Sequence, residues 1–317
     1  MNNHMNLKRF LFIAAIVASC MLLSGFGVKV TKTMLKIVMT VASREIKTVC
    51  YADSCEKRIA VPYVEKGTPA QVMDIYYAAG AIRKDAVLID IHGGFYVGGR
   101  RQNKRPFASV FLKEGYDVVL VEYRLNDGTL DVGDELADCA AALDYLTLHA
   151  GELGLNKDRM FLTGDSAGGH LALYMAEGSE DRTLPVHPEL FVTKGVLLNC
   201  PAYDFASFAN LDGFTDETLA WFIGPRYIDK QWMESMSPRT FLDRYSGPLF
   251  VSTCTKDFIR SESLMIRSEC EAKGRALDFV DIQSKKVGHI HNTKYPDRPE
   301  SQTVNARMLA FMEQCLK

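Results

Sequence analysis

From residue 59 onward, short apolar runs of strand length alternate with longer stretches carrying apolar residues at helical spacing, and this alternation constrains the fold more than any other feature. The runs at 86–91 and 117–122 are apolar almost throughout, as expected of strands buried on both faces of a parallel sheet. Further strands are expected at 59–64, 71–77, 160–163, 195–199, 249–253 and 276–281, and helices at 133–150, 167–177, 261–273 and 301–315. Strand, crossover helix and strand repeated in this way predict an α/β fold with a mostly parallel central sheet and helices on both faces. Between 203 and 239 the alternation lapses into a segment containing Phe205, Phe208, Phe214, Trp221, Phe222, Tyr227 and Trp232. That insert either caps one end of the sheet and lines an apolar pocket or simply forms its own small core.

The N-terminus follows another rule. Lys8 and Arg9 precede an uncharged run from Phe10 to Val28, 19 residues long, which lies between the length of a signal-peptide core and that of a transmembrane helix. Residues 1–27 are therefore expected to be a signal peptide or membrane anchor, with Cys20 in Val17-Ala18-Ser19-Cys20 as a candidate lipidation site and the domain extracytoplasmic. Residues 28–50 predict a basic amphipathic helix, with Lys29, Lys32, Lys36 and Lys47 opposite Met34, Leu35, Val38, Val41 and Ala42. It would lie on anionic lipid, lid an active site or pack on the main domain, which is expected to span 51–317.

Composition narrows the partners. A formal net charge of −2 supplies no basic field for nucleic acid, and 47% hydrophobic residues are enough for a large core, so a small-molecule substrate is expected. Eight cysteines are too scattered for a disulfide framework or a zinc motif. Cys139, Cys200 and Cys254 fall in apolar patterns and read as core residues, while Cys50 and Cys55 are close enough in sequence to pair.

The chemistry gathers in a few motifs. Gly164-Asp165-Ser166-Ala167-Gly168 joins a strand to a helix, the setting in which a serine is presented on a sharp turn at a helix N-terminus. Ser166 is the candidate nucleophile, and Ala167 N–H can face a developing oxyanion. His92-Gly93-Gly94 follows the strand at 86–91, so Gly93 and Gly94 are the further oxyanion-hole candidates and His92 is expected to hold the loop. A serine needs a base and the base an orienting acid. Asp257, just past the strand at 249–253, is the candidate acid, with Glu262 and Asp278 as weaker substitutes. His289, after the strand at 276–281, is the candidate base, and His291 competes with it. His149, His170 and His187 read as structural.

Over most of 60–317 these motifs, together with Phe95-Tyr96-Val97-Gly98-Gly99, Tyr123-Arg124-Leu125, Gly169 and Ser237-Pro238, resemble the hormone-sensitive-lipase-like esterases and their acyl esterase and formamidase relatives. The resemblance implies an α/β-hydrolase fold with a small helical cap at about 203–239, a Ser166–Asp257–His289 triad and cleavage of carboxylic esters without metal or organic cofactor. It ties activity on bulky tertiary-alcohol esters to a third glycine where this chain has Phe95, so such esters are expected to be poor substrates. Two other readings stay open: an amidase, formamidase or peptidase using the same triad, and a catalytically silent binding module on a hydrolase fold.

Overall fold

The computed structural model describes residues 49–209 and 216–317. The expected N-terminal leader or anchor, nearly all of the expected amphipathic helix, and Phe214 lie outside the described residues. Among those described, no helix is long and apolar enough to cross a membrane.

In chain order the elements are β1 (Lys57–Pro62), β2 (Val72–Tyr76), β3 (Val87–Ile91), α1 (Arg105–Lys113), β4 (Asp117–Val121), α2 (Val132–Leu148), β5 (Met160–Asp165), α3 (Ala167–Glu180) and β6 (Val196–Asn199). The helices α4 (Phe205–Ala209), α5 (Asp216–Ile223), α6 (Lys230–Ser235) and α7 (Pro238–Phe241) follow. The chain ends with β7 (Leu249–Cys254), α8 (Arg260–Ala272), β8 (Asp278–Ile282), α9 (His291–Lys294) and α10 (Pro299–Cys315).

The strands form one eight-stranded sheet in the order β1-β2-β4-β3-β5-β6-β7-β8. β1 and β2 pair antiparallel, as do β2 and β4, and every other pairing is parallel. In the register Ile89 lies between Val119 and Leu162, so β3 runs through the middle of the sheet. Strand residues alternate between two cores. Ile89, Val119, Leu162 and Val251 face α2, α3 and the α4–α7 segment, while Leu88, Val118, Phe161 and Phe250 face α1 and α10. Burial on both faces explains the unbroken apolar runs in the sequence.

Local signals fix the helix starts. Asp131 caps α2 by accepting from Gly133 N–H at 2.8 Å, and Asp134 reaches back to Asp131 N–H at 3.0 Å. Such a cap is worth about 1 kcal/mol. Pro299 opens α10, where its missing N–H leaves no helix bond unmade. Helix α1 is one element that periodicity leaves unassigned: it has nine residues, and its buried apolar stripe is Phe107, Ala108, Phe111 and Leu112.

Strands β3, β5, β6, β7 and β8 all end on the same edge of the sheet, because they are mutually parallel. In open α/β sheets that carboxyl edge is where ligands bind. The segment 203–239 is the crossover from β6 to β7, and Phe205, Trp221, Phe222 and Trp232 in it are buried. They build the insert's own core, but Phe222 also stacks on Phe95 of the loop after β3, with ring centroids 4.9 Å apart.

Candidate active site

Ser166 stands between β5 and α3 with φ 56° and ψ −121°, a left-handed backbone that a residue bearing Cβ rarely adopts. The turn is tight because its neighbours lack side chains. A Cβ on Gly164 would lie 2.1 Å from Gly168 O, and one on Gly168 would lie 2.0 Å from Ile91 O. Ser166 N–H donates to Asn199 O (3.0 Å), and Ser166 O accepts from Ala202 N–H (3.1 Å), tying the elbow to the end of β6. Ala167 begins α3, so its N–H is among the donors a helix leaves without an intrahelical partner.

The loop after β3 closes over this turn. A Cβ at Gly93 would meet Asp165 O at 2.2 Å and Ser166 Cβ at 3.1 Å, so only glycine permits the approach. Gly93 N–H donates to Asp165 Oδ1 at 3.3 Å, which leaves Gly94 as the loop donor not committed to that carboxylate. Gly94 has φ 142°, followed by Phe95 and Tyr96 at φ 55° and 63°. His92 anchors the loop. Its ring is stacked on Tyr123, its Nε2 meets Glu122 Oε1 at 2.9 Å, and its Nδ1 meets Gly93 O at 3.0 Å. Tyr123 Oη donates to His92 O at 2.6 Å. Burial opposes charge on His92, yet Glu122 raises its pKa above the ordinary value, and both ring nitrogens face acceptors.

A buried ion cluster supports the loop from below. Lys104 Nζ pairs with Asp165 Oδ1 and lies 3.4 Å from Asp90 Oδ2. Burial pushes the Asp90 carboxyl up to about 7, against the pull of Lys104. Burial also works against ionised Asp165, but Lys104 outweighs it and holds that carboxyl below its usual value. Asp165 is thus the ionised partner and Asp90 the group that titrates more easily.

At the end of β7, Asp257 is buried, and its Oδ1 lies 2.6 Å from His289 Nδ1. Thr253 Oγ1 donates to Asp257 Oδ2 (2.8 Å) and Ile259 N–H to Oδ1 (3.1 Å). Burial pushes the Asp257 pKa up; His289, Thr253 and Ile259 bring it below the usual carboxylate value. The Nδ1–H of His289 is therefore spent on Asp257, and Nε2 is left to accept a proton. Phe258 packs on the His289 ring with centroids 4.4 Å apart, and on Phe95 at 5.7 Å.

The competing residues are engaged elsewhere. His291 is buried with Nδ1 3.0 Å from Ser301 Oγ, and desolvation lowers its pKa to about 4. Glu262 accepts from the backbone N–H of Tyr203 and Asp204, and Asp278 opens β8 at the far edge, paired with Arg307. His149 and His187 bond to Glu152 and Glu189, and His170 Nε2 to Met236 O. Cys139, Cys200 and Cys254 are buried. Cys50 and Cys55 are free thiols, bonded to Asp53 Oδ2 and Tyr51 O respectively, each at 3.5 Å.

Sequence reasoning misses Lys104, Asp90, Glu122 and Cys200. Asp165 and Glu122 adjoin the serine and Tyr123-Arg124 motifs, which is a signal; Lys104 and Cys200 carry none, because only the fold brings them in. A cavity of about 960 Å³ lined by Leu249, Arg267, Arg275, Phe279 and Arg307 lies at the opposite ends of β7 and β8, away from Ser166.

Such a sheet, with a serine elbow, a glycine loop and a carboxylate–histidine pair on its carboxyl edge, defines an α/β-hydrolase fold. A family model described as BD-FAE matches residues 73–263, more than half of the chain, and the chain belongs to that family. It is 26% identical over 181 residues to Esterase LipQ of Mycobacterium tuberculosis, covering 55% of this chain and 42% of that protein. With Lipase 2 of Moraxella sp. (strain TA144) it shares 35% identity over 94 residues, 29% of this chain and 22% of the lipase. The chain thus spans less than half the length of these two curated relatives. The crystal structure of Esterase B from Lactobacillus rhamnosis superposes with a TM-score of 0.72 at 21% identity, covering 96% of each chain, a likeness of fold.

Proposed function

We propose that this chain is a serine hydrolase that cleaves carboxylic esters through an acyl-enzyme on Ser166, with His289 as base and Asp257 as its orienting acid. The observation that carries the reading is the 2.6 Å Asp257–His289 pair on the sheet edge where the strained Ser166 stands. In the proposed reaction His289 Nε2 takes the Ser166 proton as Oγ bonds to the ester carbonyl carbon. The carbonyl electron pair moves to oxygen, where Gly94 and Ala167 N–H donate to it, with Gly93 able to join if its bond to Asp165 yields. One such donor is worth roughly 3 kcal/mol of transition-state stabilisation.

As the tetrahedral adduct collapses, the C–O bond to the alcohol breaks and His289 returns the proton to the leaving oxygen. Water, deprotonated by the same nitrogen, then attacks the acyl carbonyl; the Ser166 ester bond breaks, the acid leaves and Ser166 regains its proton. Phe95, Phe222 and Phe258 form a continuous aromatic wall beside His289, which favours an apolar ester.

Matched ester and amide substrates test the assignment on purified protein. The reading expects the ester to be turned over much faster. A clear amide preference would replace it with an amidase, and absence of any turnover would favour a binding module. We also propose export of the domain, on the strength of Lys8, Arg9 and the apolar run behind them. Protection of the domain from protease added to intact cells would overturn that.

A further inference from the structure

Behind the Asp257–His289 pair lies a third donor that the proposed reaction does not use. Cys200 follows β6 directly, and its φ of 48° turns the chain there. Its Sγ accepts from Ile290 N–H at 3.3 Å, on the residue next to His289. The sulfur, a carboxylate oxygen of Asp257 and a ring nitrogen of His289 all lie within 4.8 Å of one another, and no other such trio occurs among the described residues. Cys254, buried at the end of β7, directs its thiol to Val287 O at 3.9 Å.

We propose that Cys200, Asp257 and His289 form a binding site for a thiophilic divalent cation of the zinc type, and that its occupancy reversibly shuts off the hydrolase. Zinc takes sulfur at about 2.3 Å and nitrogen or oxygen at about 2.0–2.2 Å, so its tetrahedral ligands sit roughly 3.3–3.8 Å apart. Asp257 Oδ1 and His289 Nδ1, 2.6 Å apart while hydrogen-bonded, must separate to reach that spacing, and the Cys200 sulfur already lies within 4.8 Å of the ligand atoms of both residues. Binding exchanges the Cys200 S–H proton, released to solvent, for a sulfur–metal bond. Thiolate, carboxylate and neutral imidazole then balance the two positive charges, so the cluster carries no net charge into a largely dry site. Cys254 or water completes the fourth position. Soft sulfur selects zinc, cadmium or cobalt over magnesium and calcium. Inhibition follows because the metal takes up His289 and Asp257; that part rests on their role in the reaction proposed above, whereas binding does not.

The experiment titrates zinc chloride into the chelator-stripped full-length chain. It reads metal uptake by competition with a chromophoric chelator and, in parallel, ester turnover. One equivalent is expected to bind, with inhibition tracking occupancy and reversing on addition of EDTA. Cobalt is expected to give a thiolate charge-transfer band. Cys200→Ser and Cys200→Ala, checked for folding by circular dichroism, should keep metal-free turnover, lose the band and bind zinc at least about 100-fold more weakly, since loss of a ligand exceeds the cost of losing an outer-shell partner. Ser166→Ala should bind zinc like the unaltered chain. Equal uptake by either folded Cys200 variant and the unaltered chain, no uptake by the unaltered chain, or equal inhibition by magnesium would overturn the site. Zinc uptake by a metal-free chain that turns over no ester would leave the site standing and sink the esterase reading.

Discussion

At Ser166 the backbone holds φ 56°, which costs a residue with a side chain on the order of 1–3 kcal/mol and persists only where the surroundings over-determine it. Here the hydrogen bonds to Asn199 and Ala202 and the closely fitted glycines do so. The same logic of support governs the proposed base: His289 keeps its proton on Nδ1 because Asp257 accepts it, and Asp257 is held below its usual pKa by His289, Thr253 and Ile259. Replacing Asp257 by Asn keeps the shape but presents an N–H to Nδ1, favouring the wrong tautomer. Steady-state kinetics on Asp257→Asn should show kcat reduced about 10⁴-fold with little change in KM. A loss below tenfold would remove Asp257 from the catalytic machinery.

At the level of elements, the site depends on α3 lying against the end of β3. Gly168 is where they touch: its Cβ would fall 2.0 Å from Ile91 O and 2.6 Å from the His92 carbonyl carbon, both backbone atoms with no freedom to yield. Gly168→Ala must therefore push the proposed oxyanion loop away from the elbow. Denaturant unfolding should show a loss of about 1–3 kcal/mol, and kcat should fall further than that loss explains. Unchanged kcat would mean that the loop can shift without cost to the reaction. Such element contacts explain what could be read in advance. The strand-to-helix turn at 164–168 and the His92-Gly93-Gly94 loop announce themselves because local geometry demands glycine at fixed spacing. Lys104 beneath Asp165, and Cys200 beside His289, are brought in by sheet order alone, which no local pattern encodes.

Across the whole molecule, the two-sided core made the sheet legible, since β3, β4, β5 and β7 are apolar for reasons of burial on both faces. The short α1 and the antiparallel pairing of β2 with β4 were not legible: one is brief, and the other is a choice of neighbour. Global stability also carries an acid-sensitive contribution. His170 is wholly buried, its Nε2 bonded to Met236 O and its Nδ1 without a partner, and desolvation lowers its pKa from 6.5 to about 4. The unfolded chain binds that proton more readily. The contribution of neutral His170 is therefore complete above pH 6.5 and drains away as pH falls toward 4, with about 2 kcal/mol lost by pH 5. In His170→Gln the difference in urea stability between pH 7.5 and pH 5 should shrink by about that amount; an unchanged difference would show that His170 does not titrate in this way. The central claim, that this fold presents Ser166 as an activated nucleophile, is tested most directly by a fluorophosphonate probe, with the labelled peptide identified by mass spectrometry. The account predicts one label per chain, on Ser166, and neither label nor ester turnover in a folded Ser166→Ala protein; labelling at another residue, or turnover surviving in that variant, would contradict it.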